Sequence, residues 1–172
     1  PASQELHGFF AKQGFFECFT QDERQWTPEL AKKAPETLPK MKLVNAAEYG
    51  VLREGLLSKL GHIALPMDAL LYQAGCCRID GGGMYLVGAP AGPAALCAEG
   101  TGDKTLLVKE LIGSPEAVDQ IAAVLPQLLP KFGGTYRTLG DSVPFGMMKW
   151  LSPELDQAWD RDIRAYLGLA FD

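Results

Sequence analysis

Three glycine-bearing turns divide the middle of the chain into four short apolar segments, and this pattern constrains the fold more than any other feature. The turns lie at residues 80–83, 88–92 and 100–103, and the apolar segments at 76–79, 84–87, 94–99 and 105–111. Apolar runs of this length between glycine-rich turns are typical of strands joined by tight connections. The pattern predicts a meander of four antiparallel strands, and the last of them, TLLVKEL, is the most apolar.

Two helices are predicted before the meander. Asn45 is followed three residues later by Glu48, which is the capping-box arrangement found at helix starts. A second, shorter helix is predicted from Pro66, because proline suits the first helical turn. The apolar stripe of the first helix is predicted to end at Gly61 and to consist of Tyr49, Leu52, Leu56, Leu57 and Leu60.

A third helix is predicted after the meander. Ser114 suits the N-cap and Pro115 the first helical position, and Pro126 is expected to kink the helix before it ends at Gly133. Its apolar stripe consists of Val118, Ile121, Ala122, Leu125 and Leu129. Three further strands are predicted at residues 135–139, 145–151 and 164–171.

The opening residues form a unit of their own in the sequence pattern. A helix is predicted from about residue 3 to residue 13, followed by a short strand at 15–19. The apolar side of this helix is predicted to consist of Leu6, Phe9 and Phe10. Residues 22–42 are polar and contain prolines, which is typical of a connector.

Composition limits the classes of function. Of the 172 residues, 47% are hydrophobic and 22% are charged, which is average for a globular domain. The net charge is −5 and lysines and arginines form no cluster, which argues against nucleic-acid binding. No apolar run reaches the roughly 18 residues that a membrane span needs, no signal peptide is visible, and no ligand spacing indicates a metal site.

The cysteines carry a further indication. Cys18, Cys76, Cys77 and Cys97 have no C-x-x-C spacing. They are interpreted as buried, reduced core residues of a cytoplasmic protein. The alternative is a redox pair at Cys76 and Cys77, although a disulfide between adjacent cysteines is strained.

The order of these elements resembles that of the GNAT (Gcn5-related) N-acetyltransferase family. Residues 44–172 match the family's order of helices, meander, crossover helix and strands, and residues 1–26 resemble the closing helix and strand of the same fold. The resemblance implies an α+β (α/β) fold with a mixed, largely antiparallel sheet flanked by helices. It also implies the C-terminal fragment of a two-unit bacterial member, in which 1–26 close a preceding unit, 27–43 form a linker and 44–172 form a second GNAT-like domain.

The resemblance implies acetyl-CoA as the cofactor of the parent protein. In the family, a glycine-rich turn after the fourth strand, Gln/Arg-x-x-Gly-x-Gly/Ala, and the next helix N-terminus hold the pyrophosphate. The matching residues here, 111–116, read Leu-Ile-Gly-Ser-Pro-Glu. Pro115 lacks an amide hydrogen, and Glu116 adds negative charge where the anion would lie. Weak or no acetyl-CoA binding is therefore expected here, and Ser114 is interpreted as a helix cap.

Three site residues are carried over from the resemblance. Phe10 occupies the position at which a tyrosine often protonates the departing CoA thiolate, and phenylalanine has no such proton. Ser3 lies where family members often place a polar cofactor contact. Asp172, at the end of the chain, would enter the first unit's active site as a base with a pKa raised by burial. The alternatives are that Phe9 and Phe10 are core residues and that Asp172 is an exposed tail.

The sequence thus predicts the C-terminal part of an acetyl-CoA-dependent N-acetyltransferase that acts on a small-molecule or peptide amine. This part alone is expected to be inactive and to shape the acceptor pocket of the parent. The second hypothesis is a non-catalytic GNAT-like interaction or dimerisation module. Its strand 15–19 would be unpaired, and it would pack against the missing N-terminal unit or exchange its opening segment with a second copy. Neither hypothesis involves nucleic acid or a membrane.

Overall fold

The sheet is built from strands β1 (Phe16–Trp26), β2 (Lys40–Leu43), β3 (Gly83–Ala89), β4 (Gly92–Gly102), β5 (Thr105–Ile112) and β6 (Gly133–Met148). They belong to a computed structural model that describes residues 4–28, 38–79, 81–102 and 104–169. The six strands lie in the order β1–β6–β5–β4–β3–β2. Neighbouring strands in this sheet are antiparallel except β5 and β6, which are parallel.

The helices are α1 (His7–Lys12), α2 (Ala46–Leu57), α3 (Met67–Ile79), α4 (Pro115–Ala122), α5 (Leu125–Leu128) and α6 (Pro153–Ala158), with a 3₁₀ turn at Gln4–Leu6. Helices α4 and α5 form the crossover that a parallel pair of strands requires. The fold class predicted from the sequence is confirmed: a mixed, largely antiparallel sheet is flanked by helices.

The capping predictions are confirmed. The side chain of Asn45 accepts a hydrogen bond from the Glu48 amide at 2.9 Å, and the Glu48 carboxylate accepts one from the Asn45 amide at 3.1 Å. These two bonds satisfy amides that a helix start leaves without partners. At Pro126 the expected kink is a break, because α4 ends at Ala122 and α5 begins at Leu125.

The meander has three strands rather than four. Residues 76–79 were predicted as its first strand, but they form the last turn of α3. Leu70, Gln73 and Cys77 are buried at helical spacing, so this segment packs on the sheet as a helix. The glycines after it therefore end a helix instead of making a hairpin, and the Gly82 amide donates to the Cys77 carbonyl at 2.9 Å.

The two strands predicted at 135–139 and 145–151 form one strand, β6, which ends at Met148. Leu151 lies beyond it and is 91% exposed. Its partner β1 is longer than predicted and pairs from Phe16 opposite Met148 to Trp26 opposite Gly134. The largest of three register shifts lies between Gln21 and Asp22. Residues 16–19 are therefore not an unpaired strand, which corrects a premise of the second hypothesis.

The predicted connector and final strand also differ from the structure. Residues 22–26 and 40–42 of the connector lie in β1 and β2, and 29–37 lie outside the described residues. Of the strand predicted at 164–171, Ala165 and Tyr166 form single bridges to Phe19 and His62, and 170–172 lie outside the described residues. The division of the chain at 1–26, 27–43 and 44–172 stays a prediction.

Helix α1 differs from its predicted orientation. Its buried residue is His7, whose Nδ1 lies 2.6 Å from Glu17 Oε1 on β1. Leu6 and Phe9, predicted on the packed side, are 47% and 59% exposed. The polar contact with Glu17, rather than the apolar side chains, thus lies between this short helix and β1.

The two faces of the sheet carry separate apolar layers. Helices α4 and α5 cover one face, where Ile121 and Leu125 pack with strand residues such as Val108. Helices α2 and α3 cover the other face with Tyr49 and Leu70. Cys77 and Cys97 are buried in the second layer, Cys18 is buried in a separate cluster, and Cys76 is half-buried.

Candidate functional site

The candidate site lies where β5 and β6 separate. The two strands pair from Thr105 opposite Gly133 to Leu111 opposite Thr138. Beyond that point β5 ends at Ile112, while β6 continues beside β1 to Met148. In open sheets, ligands bind at the carboxyl ends of parallel strands. We call this region the β5–β6 wedge.

Residues 165–168, which we call the C-terminal segment, occupy this wedge. The buried ring of Tyr166 packs with Leu57, with Ile112 of β5 and with Leu139 of β6. The Tyr166 amide donates to the Gly61 carbonyl at 2.8 Å, and the Ile63 amide donates to the Tyr166 carbonyl at 3.0 Å. What stays open is a cavity of about 150 Å³ lined by Thr20, Leu60, Gly61, Leu139, Gly140, Arg164, Ala165 and Tyr166.

A buried ion pair lies beside the wedge. Arg53 on α2 donates from Nε to Glu110 Oε1 at 3.0 Å, and the Tyr49 hydroxyl donates to the same oxygen at 2.8 Å. The side chains of Arg53 and Glu110 are both 0% exposed. Tyr49 and Arg53 are four residues apart and therefore share one face of α2.

A β-bulge in β5 points Glu110 toward these helices. Cys97 of β4 pairs with Glu110, and the next residue, Ala98, pairs with Val108. Lys109 is therefore the extra residue of β5 between these two pairs. Such a bulge breaks the strict alternation of side chains along a strand. Lys109 and Glu110 consequently both face α2 and α3, whereas Val108 and Leu111 face α4.

Arg53 also fastens the C-terminal segment. Its Nη1 donates to the Ile63 carbonyl and to Glu54 Oε1, both at 3.0 Å, and its Nη2 donates to the Leu167 carbonyl at 3.4 Å. Gly168 has a φ of 69°, and a side chain there would collide with Glu110 Oε2 and Arg53 Nη2. The ion pair and the segment that fills the wedge therefore form one packed unit.

Burial dominates the electrostatics of this unit. It raises the pKa of the Glu110 carboxyl, against the opposing effects of the Arg53 guanidinium and the Tyr49 hydroxyl. Burial, and then the charge of Glu110, raise the pKa values of Tyr49 and Tyr166 well above the ordinary value. A carboxylate without solvent access, held by two donors, is suited to structure rather than to proton transfer with a substrate.

A second polar cluster lies next to the first. Lys109 Nζ lies 3.2 Å from Glu99 Oε2 and donates to Gln73 Oε1 at 3.4 Å, while Gln73 Nε2 donates to Glu99 Oε2 at 2.6 Å. The Sγ atoms of Cys77 and Cys97 lie 3.5 Å apart beside it. This cluster connects α3 to the sheet and reaches the surface at Glu99, whose side chain is 27% exposed.

The N-terminus of α4 does not fit a pyrophosphate. The Ser114 Oγ accepts a hydrogen bond from the Ala117 amide at 3.2 Å, which confirms its interpretation as a cap. Pro115 has no amide hydrogen, and the Glu116 side chain adds an exposed negative charge. This helix start is therefore a poor match to the family's pyrophosphate loop.

Phe10 is the one predicted site residue within the described part of the chain; Ser3 and Asp172 lie outside it. Phe10 is half-buried, and its ring lies edge-on to Phe9 at 5.3 Å and to Phe15 at 5.5 Å. The roles assigned to all three residues stay predictions. Phe9 is 59% exposed, so its interpretation as a core residue is wrong.

Sequence reasoning missed the two polar clusters. The available signals were Arg53 within the apolar stripe of a predicted helix, and Lys109 and Glu110 within the most apolar strand. A charged residue inside an apolar run is expected to find a buried partner. The partners themselves are far apart in sequence, so the pairing required the fold.

The residues that the structure describes contain neither a metal-binding cluster nor a membrane-spanning helix. No group of three or more His, Cys, Asp or Glu side chains within that part could hold a metal ion. Within the same residues, no helix has the length and apolar character of a membrane span.

The fold is similar to that of a protein of unknown function from Enterococcus faecalis V583 described as a probable N-acyltransferase. The TM-score is 0.55 at 12% identity, over 80% of this chain and 36% of that one. Eis1 from Mycobacterium abscessus has a TM-score of 0.44 at 14% identity, over 77% of this chain and 36% of its own, which is too low to support an argument. The chain thus spans about a third of the length of these structures. No family model and no curated protein matches the sequence.

Proposed function

We propose that this chain is the non-catalytic, acyltransferase-like part of a longer N-acetyltransferase, a GNAT-like second unit that shapes the acceptor pocket of its parent. The fold similarity to a probable N-acyltransferase supports the class. A preceding unit would bind acetyl-CoA and carry out the transfer to an amine. Residues 1–26 would close that unit, in a cytoplasmic, bacterial protein with tandem domains.

The observation that carries the proposal is the occupied wedge. Tyr166 fills the space between the ends of β5 and β6, and the Arg53–Glu110 pair holds the segment that follows it. An extended cofactor arm would have to displace this segment and expose a buried ion pair, which is costly. No acyl-transfer step is therefore assigned to residues 4–169.

The residues carried over from the family keep their proposed roles in the parent. Asp172 would act there as a base that accepts the proton of the attacking ammonium. Ser3 would contact the cofactor. Phe10 would leave the departing thiolate to another acid or to water, because phenylalanine has no proton to donate.

A binding measurement tests this proposal. Isothermal titration of the folded chain with acetyl-CoA is expected to give no heat, and a thermal melt with the same ligand no shift. A matched variant, Pro115→Ala with Glu116→Gly, returns one amide donor and removes the charge. It is expected to stay inert, because the wedge is still filled. Micromolar binding by the unmodified chain would refute a non-catalytic role.

The alternative is a non-catalytic interaction module that needs no acyltransferase parent. The apolar outer face of α3 favours it, since this face has no cover within the residues that the structure describes. Exchange of the opening segment is not the favoured route to such a module, because β1 is paired with β6 along its length.

A further inference from the structure

Helix α3 is apolar on both of its sides. Leu70 and Cys77 face the sheet and are at most 4% exposed. On the outer side, Met67, Leu71 and Ile79 are 48%, 59% and 79% exposed. A helix at the surface of a globular protein normally has a polar outer face, so this one has the composition of a helix that is covered.

Helix α4 shows what an uncovered helix looks like in the same chain. Its buried residues are Ala117 and Ile121, and its exposed side carries Glu116, Asp119 and Gln120. The apolar outer face of α3 is therefore a property of that helix and not of the protein's surface in general.

The outer residues of α3 are arranged symmetrically about Gln73, which faces the sheet. Met67 and Ile79 lie six residues on either side, Asp68 and Arg78 five, and Leu71 and Gly75 two. In an antiparallel pair of identical helices, residues at equal distances from the centre lie level with each other. A second α3 would thus bring an apolar residue level with Met67, a cation level with Asp68 and a glycine level with Leu71.

The charges on this face are complementary to those of a second copy. Asp68 and Arg78 are both exposed, and ten residues of helix separate them by about 15 Å, so they cannot pair within one chain. Two copies in antiparallel contact would form two Asp–Arg pairs. Gly75 has open space around the position of a Cβ, which leaves a hollow for Leu71 of the second copy at usual helix-packing distances.

We propose that the outer face of α3 is the contact surface of a symmetric homodimer, in which α3 packs antiparallel on α3 of a second copy. Val51 on the neighbouring α2, 78% exposed, widens the apolar surface on the same side of the sheet. The dimer requires neither acetyl-CoA nor a preceding unit, so its test is independent of the proposed function.

The first experiment is sedimentation velocity of the full chain over a range of concentrations. The expected result is a monomer–dimer equilibrium that Leu71→Glu abolishes. Leu151→Glu is the matched control, because Leu151 is 91% exposed outside α3 and its replacement is expected to leave the equilibrium unchanged. A monomer at every concentration, or a dimer that tolerates Leu71→Glu or is lost equally with Leu151→Glu, overturns the proposal.

Charge reversal tests the antiparallel arrangement. Asp68→Arg and Arg78→Asp each create two like-charged contacts, and each alone is expected to weaken the dimer by about tenfold. The double variant restores both pairs. An equimolar mixture of the two single variants also restores both. A parallel contact would place like charges level in the unmodified chain, in each single variant and in the double variant alike, so weakening by each single variant with recovery in the double variant identifies the antiparallel arrangement. If the mixture associates no better than its components, this contact is wrong. Circular dichroism confirms that each variant is folded.

Discussion

Lys109 and Glu110 are neighbours on β5, yet their ion pairs lie in different surroundings. The Glu110–Arg53 pair is 0% exposed on both sides, whereas the side chains of Lys109 and Glu99 are 5% and 27% exposed. The bulge in β5 points both toward α2 and α3, so the direction of the side chains does not cause the difference. The C-terminal segment causes the difference, because Leu167 and Gly168 lie against the Glu110–Arg53 pair. We call this pair the inner pair and Lys109–Glu99 the outer pair.

The difference shows how one strand supplies two kinds of cluster. An ion pair without water depends on both of its members, because removing one leaves an unsolvated charge. A pair that reaches the surface keeps partial solvation when one member is lost. The inner pair should therefore dominate the stability of the fold, and the outer pair should contribute less.

The largest effect is expected for Arg53→Met. The replacement leaves Glu110 buried without its cation and is expected to lower the free energy of unfolding by about 3–5 kcal/mol, measured by urea denaturation. The double variant Arg53→Met with Glu110→Leu removes both charges and is expected to recover part of that loss, since the Leu167 carbonyl and the Tyr49 hydroxyl still lose their partners. If the single variant is as stable as the double, the pair is not the structural element described here.

A smaller effect is expected for Lys109→Met. Gln73 continues to donate to Glu99, which also contacts solvent, so the cost is about 1–2 kcal/mol in the same denaturation experiment. Glu99→Gln is the matched variant and is expected to cost no more. A loss for Lys109→Met as large as for Arg53→Met would remove the distinction between the two clusters.

Much of the fold could be predicted from local sequence. The caps at Asn45 and Ser114 and the strands after Gly83 depend on neighbouring residues, and the sequence contains those signals. The segment 76–79 was predicted wrongly, because a run of four residues, three of them apolar, fits a strand as well as a helix. The segment is helical because it continues the buried face of Leu70 and Gln73, and the contact of that face with the sheet is a tertiary one.

The candidate site was less accessible from sequence. The occupied wedge depends on contacts between residues more than fifty positions apart, such as Tyr166 with Ile112 and Arg53 with Glu110. The bulge that points Glu110 inward leaves no mark in TLLVKEL. By contrast, Pro115 and Glu116 at the start of α4 are visible in the sequence alone, and the weak acetyl-CoA binding that they predict stays a prediction.

The smallest effect concerns the border between the inner cluster and solvent. Glu54 Oε1 accepts a hydrogen bond from Arg53, and Glu54 Oε2 lies 2.8 Å from His62 Nε2. His62 is therefore the outermost member of the inner cluster, by which we mean the inner pair together with Glu54 and His62. The hydrogen bond to Glu54, followed by that to the Leu60 carbonyl, raises the pKa of His62 above the ordinary value of 6.5. The stabilisation by protonated His62 is therefore complete below that value and is lost as the pH rises through the higher folded-state pKa.

Thermal melts of the unmodified chain and of His62→Gln test this prediction between about pH 5.5 and pH 8.5. At the acidic end the unmodified chain is expected to have a higher melting temperature than His62→Gln. This difference in melting temperature is expected to shrink as the pH rises. It is expected to be small because the Glu54 side chain is 43% exposed. In a Glu54→Gln background the pH dependence should largely disappear. A constant difference at every pH would place His62 outside the inner cluster, which would then end at Arg53.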